Sequence, residues 1–385
     1  MSVKLKLKDC ILLIGLAALV SSFQRDEDGS ELLGGIDEIS ALPLLVESPN
    51  NNPNSLEKTE LGRLLFWDPI LSGTKDIACA TCHHPDLGYA DSRALSAGVK
   101  GMGLGRDRLG GDRIRRSAPT NINTGFNGIS INGNYNSSTA PMFWDNRASG
   151  LEEQALLPIL SAEEMRGQDI NEQDIIDTVV LRIQSNTTYR TLFELAFGDD
   201  NITGERITQS LANFQRSIIS NNSRFDQYAR GDEDALSNVE IRGMNSFIEA
   251  GCADCHSGPM FSDYELHTLS TPNHPLVADN GANGNFAFRT PTLRNLGVTA
   301  PYMHNGIFDD LREVLEFYDD ISGRNPNAQN PGVRDNEIDQ DARQLQLNNR
   351  DINEIIDFLN ALNDDSFDKS IPENVPSGLM VGGGI

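Results

Sequence analysis

The chain has 385 residues, 38% of them hydrophobic, which is enough to build two hydrophobic cores. Its 31 Lys and Arg stand against 56 Asp and Glu, and the resulting net charge of −25 excludes nucleic acid as a partner because the phosphate backbone would repel it. Such acidity serves either solubility in salt or the steering of a basic partner protein.

In chain order, Lys4, Lys6 and Lys8 precede the apolar run Ile11–Val20, which ends at Ser21 and Ser22. A basic flank, a short apolar stretch and small residues make residues 1–22 an export signal, so the expected destination is the periplasm, with no stable membrane anchor once the signal is removed. Cys10 precedes the apolar run, where a lipoprotein cysteine would follow it. Residues 23–56, rich in Asp, Glu, Asn, Pro and Ser, read as a polar linker.

Cys79-Ala-Thr-Cys82-His83 is a C-x-x-C-H motif, and Cys252-Ala-Asp-Cys255-His256 repeats it in the second half. This spacing lets two cysteines form thioethers with a porphyrin edge while the next histidine reaches the iron. A zinc ribbon is the competing reading, but its cysteine pairs usually lie about 15 to 20 residues apart and need no histidine after each. Four of the five cysteines are consumed in this way, so no disulfide framework remains. Covalent haem attachment outside the cytoplasm agrees with the export signal.

Between and after the motifs, helical spacing predicts helices through Ile175, Val179 and Ile183, through Ile207, Leu211, Phe214 and Ile218, through Leu236 to Ile248, and through Ile352 to Leu362. Gly101–Gly111 and Asn121–Ser138 lack periodicity and are expected to be loops. The expected architecture is mostly α, with two cytochrome c-like helical domains, each holding one covalent haem c. Their expected limits are residues 57–225 and 226–368, followed by a flexible tail over 369–385.

Leu61–Pro69 (LGRLLFWDP), Phe143–Ala148 (FWDNRA), Glu153–Pro158 (EQALLP), Glu163-Glu164-Met165, Arg289–Asn295 (RTPTLRN) and Ala300–Gly306 (APYMHNG) occur in that order. Together with both haem motifs they resemble the bacterial dihaem cytochrome c peroxidase family, which includes MauG, from about residue 57 to residue 362. The resemblance implies a periplasmic oxidoreductase that reduces hydrogen peroxide with electrons from a small cytochrome c or copper protein. A MauG-type enzyme that oxidises residues of a protein substrate is the alternative, and a non-catalytic electron-transfer cytochrome is the rival from another class.

The same resemblance implies roles for individual residues. Glu164 is the acid/base over the first haem, Gln154 the distal glutamine, Pro158 a distal-side residue and Trp144 the tryptophan between the haems. His83 and His256 are the proximal iron ligands. Many members carry a histidine in the loop after the first motif, whereas Ala97-Gly-Val-Lys-Gly101 has none, so the first iron is expected to be open. Tyr318, in Asp310–Tyr318, takes the position of the methionine ligand on the second iron, and a hard tyrosinate favours higher oxidation states. Met303 and Met260 are rival ligands. Asn123, with the carbonyls of Thr299 and Pro301, matches a calcium site. His304 matches a histidine near a haem propionate, and His267 and His274 receive no role.

Overall fold

The computed structural model describes residues 38–323 and 326–385, so the export signal, Cys10 and the start of the linker lie outside the described residues. The described residues are mainly helical. The first helices are α1 (Leu56–Trp67), the single turn α2 (Cys79–Cys82), α3 (Gly150–Leu160), α4 (Glu172–Gln184), α5 (Thr187–Phe197) and α6 (Gly204–Ser217). They are followed by α7 (Arg224–Ala229), α8 (Asn238–Glu249), α9 (Leu311–Ile321), α10 (Gln340–Gln344) and α11 (Asn349–Asn360). Strands are confined to three antiparallel pairs of two or three residues: β1 (Gly101–Met102) with β2 (Leu109–Gly110), β3 (Pro141–Met142) with β4 (Ala148–Ser149), and β5 (Leu266–Thr268) with β6 (Ala287–Arg289). Among the described residues no helix is long and apolar enough to cross a membrane. All four helices predicted from periodicity are present, as α4, α6, α8 and α11.

Two crossed helix pairs organise the molecule. α1 packs on α6, and α8 packs on α11. Local chemistry starts each helix where it does: the Ser55 hydroxyl accepts from Lys58 N at 3.2 Å, and Ser237 and Glu240 form a reciprocal capping box at the head of α8. The glycines at the crossings permit the contact. A Cβ on Gly62 would fall 1.9 Å from the Ser210 carbonyl oxygen, and one on Gly243 would fall 1.8 Å from that of Glu354. Both pairs then bury aromatic side chains beneath the crossing. Leu65, Phe66, Tyr189, Phe193 and Phe214 belong to the first core, while Phe225, Phe247, Phe261 and Phe358 form the centre of the second, with ring centroids 5.2 to 6.3 Å apart.

The chain passes between cores from Ile218, the last first-core residue in that stretch, to Phe225 in the second. The segment that follows contains α7, whose Asp226 accepts from Ser223 N at 3.0 Å and forms a buried ion pair with Arg294.

Both ends depart from the expectation of loose polar chain. From Glu38 onward the linker is packed: Ile39 is buried in the second core and bridges Gly258, Leu42 N donates to Asp226 Oδ1 at 3.0 Å, and Asn52 donates to Gln209 O at 3.0 Å. The tail expected to be flexible instead runs back to the first core. Phe367 and Val375 are buried there, Ser377 Oγ donates to Asp68 Oδ1 at 2.6 Å, Thr81 Oγ1 donates to Gly382 O at 2.7 Å and Gly384 N donates to Asp76 O at 2.9 Å. Composition misleads here because a few apolar anchors and saturated main-chain bonds order a polar segment without helical periodicity.

Candidate haem and peroxide site

Each C-x-x-C-H motif lines its own cavity. The first, of about 710 Å³, is walled by Cys79, Cys82 and His83 on one side and by Gln154, Pro158 and Glu164 elsewhere. The second, of about 210 Å³, is walled by Cys252, Cys255 and His256 together with Met260, Met303 and Tyr318. The zinc-ribbon alternative requires four clustered cysteines, and the only metal-like cluster among the described residues is Cys255, Asp263 and His267.

The two motif histidines are prepared identically. His83 Nδ1 lies 2.9 Å from Tyr89 O, and His256 Nδ1 lies 3.0 Å from Phe261 O. A carbonyl can only accept, so each Nδ1 carries the proton and each Nε2 keeps its lone pair for a metal. Burial lowers the pKa of both rings, keeping them neutral as ligation requires. The cysteines are held as thiols by the same burial, with Cys79 and Cys252 each pushed up to about 12.

On the first cavity, α3 and the π-turn Ala162–Arg166 supply the polar groups. Gln154 and Pro158 are four residues apart and share a helix face. Pro158 lies inside the last turn of α3, which ends at Leu160; Ser161 N bonds to both Leu157 O and Pro158 O, and the Ser161 hydroxyl accepts from Glu164 N at 3.3 Å. This cap swings Glu164 toward the cavity. Burial raises the Glu164 pKa, with Arg147 partly opposing it. Gln154 Oε1 is buried without a partner. The histidine-free loop packs directly behind this turn, with Val99 N donating to Glu163 O at 3.3 Å and Gly98 too close to that oxygen for any Cβ.

Trp144 lines both cavities, as do Ser117, Pro119 and Arg289. Its Nε1 donates to Ser117 O at 3.1 Å, and its carbonyl accepts from Arg289 N at 2.7 Å. The structure therefore brings Trp144 to the wall shared by the two motifs.

In the second cavity, the hydroxyl of Tyr318, like that of Tyr228 elsewhere, has no hydrogen-bond partner among the described residues, whereas those of Tyr89, Tyr189, Tyr264 and Tyr302 donate to protein oxygens. Burial pushes the Tyr318 phenol pKa up, so only a cation beside it would make the tyrosinate favourable. Met260 and Met303 line the same cavity. His304 stacks on Phe288 at 3.6 Å between centroids, and burial pushes its pKa down to about 3.

Asn123 makes a two-way bond with the Ser220 main chain, at 2.7 and 2.8 Å. Ser220 Oγ in turn accepts from Asn295 Nδ2, and Thr299 Oγ1 donates to Asn295 O. The residues of the calcium expectation are thus linked, but the Asn123 amide is already engaged.

Sequence reasoning missed two groups. His267 sits between Asp263 and Asp339, at 2.9 and 3.0 Å, and the Asp263 bond foremost raises its pKa to about 11. Arg289 lies in the Arg289–Asn295 segment, but nothing in a sequence marks one arginine as lacking a carboxylate.

The residues present fit a haem in each cavity: paired, partly buried thiols, a neutral histidine with a free Nε2, apolar walls, and polar atoms of Gln154 and Tyr318 without partners among the described residues.

Comparison with known proteins agrees with this geometry. A family model described as di-haem cytochrome c peroxidase matches residues 56–234. The methylamine utilization protein MauG of Methylophilus methylotrophus is 34% identical over 328 residues, covering 83% of this chain and 86% of that protein. The cytochrome c551 peroxidase of Nitrosomonas europaea is 31% identical over 338 residues, covering 84% and 85%. A crystal structure of a MauG-like protein associated with microbial copper homeostasis superposes with a TM-score of 0.68 at 26% identity, covering 89% of this chain and 97% of that one. With two haem motifs on two cavities and relatives aligned over most of its length, the chain belongs to the dihaem cytochrome c peroxidase family, whose members carry two haems, and is an oxidoreductase of that type.

Proposed function

We propose that this is a periplasmic enzyme that consumes hydrogen peroxide at the first cavity and draws the two electrons from a partner protein, in the MauG manner, by oxidising that partner's own side chains. His83 would hold the first iron and His256 with Tyr318 the second, each porphyrin being tied by its cysteine pair. When bound, the haems supply the redox chemistry: an iron to bind peroxide and a reservoir for its oxidising equivalents.

The protein residues handle protons and position. Hydrogen peroxide, two protons and two electrons become two waters. Glu164, as carboxylate, takes the proton of one peroxide oxygen and returns it to the other, which leaves as water. Its raised pKa brings it nearer neutrality, where acceptance and donation are both accessible. Gln154 offers its amide to orient the peroxide, and Pro158 keeps that side of the cavity free of a competing ligand. Trp144, bonded to Ser117 O, offers an aromatic stepping stone in the wall shared by both cavities. A calcium ion would rest on the Thr299 and Pro301 carbonyls and the remaining lone pair of Asn123 Oδ1.

The observation that carries the MauG-like choice is the partnerless Tyr318 hydroxyl in the His256 cavity, where a methionine would favour a simple peroxide scavenger supplied by cytochrome c. The test is the electron paramagnetic resonance spectrum of the oxidised holoprotein and of Tyr318→Met. The expected result is one high-spin and one low-spin haem, the low-spin signal changing in the variant and no rapid oxidation of reduced cytochrome c or a cupredoxin. Unchanged signals in Tyr318→Met, or rapid turnover with either donor, would return the protein to the peroxide-scavenging reading. Two low-spin haems inert to peroxide would favour a simple electron carrier.

A further inference from the structure

Among the described residues four arginines are buried: Arg108, Arg216, Arg289 and Arg294. Arg216 pairs with Glu152, Arg294 pairs with Asp226, and Arg108 donates to the carbonyls of Ala97, Gly98 and Gly103. Arg289 stands apart. It is 8% exposed, and its side chain makes one hydrogen bond, from Nε to Phe143 O at 2.8 Å. Neither terminal nitrogen has a partner among the described residues, and the residue lines both the first and the second cavity. Its own N–H holds the Trp144 carbonyl, which fixes the end of β6 in the shared wall.

A guanidinium cannot shed its charge and presents a planar fork matched to carboxylates. Arg108 is buried without an anion too but spends its nitrogens on carbonyls, whereas the unbonded fork of Arg289 lines the two cavities and is free for an anion supplied from elsewhere. No carboxylate among the described residues bonds to it, and its pKa is drawn down to about 10 by burial, with the Tyr264 phenol opposing.

We infer that Arg289 is a carboxylate-binding residue for the haems, a counter-ion held in common by propionates of both, and that it thereby raises the reduction potentials of the two irons together. The inference rests on the two-haem reading of the cavities. A cation beside a haem favours the reduced iron, which carries one positive charge less. One cation serving both irons shifts both in the same direction and leaves their difference little changed.

The experiment is a spectroelectrochemical titration of the intact dihaem protein and of Arg289→Met and Arg289→Lys, with haem content measured on the same samples. In Arg289→Met both midpoints should fall, each by about tenfold in the reduction equilibrium, or 59 mV for one electron. Arg289→Lys keeps the charge but loses the fork, so both midpoints should fall by less. If Arg289→Met does not fold, Arg289→Lys decides alone. Two loaded haems with unmoved midpoints, or a shift confined to one haem, would overturn the inference. Fewer than two haems in the wild-type protein would instead overturn the reading on which it rests.

Discussion

Gly62 on α1 meets the carbonyl of Ser210 on α6 so closely that a Cβ would fall 1.9 Å from the oxygen and 3.0 Å from the Phe214 Cβ, and Gly243 stands in the same relation to Glu354 and Phe358 on the other helix pair, at 1.8 and 3.0 Å. Neither glycine is required for its φ; both are required for space. Gly62→Ala and Gly243→Ala should therefore each force a helix pair apart, at a cost of about 3 kcal/mol or more. Thermal unfolding of the holoprotein followed at the haem bands checks this. Each substitution should perturb the haem of its own core more than the other.

Asp226 and Arg294 form an ion pair sealed from solvent, with Nη1 to Oδ2 at 2.8 Å and Nη2 to Oδ1 at 3.0 Å. Burial by itself would raise the Asp226 pKa, but Arg294, Ser223 and the Leu42 N–H overcome it and the net shift is downward. A folded-state pKa below the unfolded value of about 3.9 contributes stability that is complete above that value and is lost as pH falls through the folded one. Asp226→Asn should cost about 3 to 5 kcal/mol at neutral pH because Arg294 is left buried and unpaired. Denaturant titrations between neutral pH and pH 3 should show the gap between wild type and variant closing only at the acid end.

Glu164 shifts the other way. Its carboxyl must be ionised to take the first proton from peroxide, and burial raises its pKa, so the rate of peroxide reaction should climb with pH through a midpoint above the ordinary carboxylate range. Glu164→Gln, which keeps the shape and loses the base, should slow that reaction by about 100-fold or more and erase this limb of the profile. Stopped-flow mixing with peroxide across pH 4 to about pH 8 reads both effects. A variant that reacts at the wild-type rate with the same pH profile would remove Glu164 from the chemistry.

What was legible in the sequence was whatever depends on local spacing. Cys79, Cys82 and His83 announce their role because one helical turn and the next residue suffice to present them, and Ile352, Ile355 and Leu359 announce a helix by period alone. Glu164 and Gln154 were legible only through resemblance, since their approach to the first motif depends on Ser161 both closing α3 and starting the next turn. The Gly62 and Gly243 crossings, the Asp226–Arg294 pair and the isolation of Arg289 depend on partners far away in the chain, and no window of sequence contains them. The polar ends misled for a related reason: Ile39 and Val375 are single anchors whose burial sites are built by the opposite half of the molecule.

That last arrangement makes a testable strap of the C-terminus. Residues 374–385 return from the second half to the first motif, bury Val375, and bond Gly382 and Gly384 to Thr81 and Asp76 on either side of Cys79. Truncation after Glu373 would remove one buried valine and uncap several main-chain groups, a loss of about 3 to 5 kcal/mol from the first core. The α8 and α11 pair makes no use of this segment, since its core is drawn from Ile39 and residues 225 to 362. The truncated holoprotein should therefore show an earlier unfolding step at the first haem, with broadened high-spin signals, while the second haem unfolds at the wild-type temperature. A single unfolding step at the wild-type temperature would mean that the strap follows the first core without supporting it.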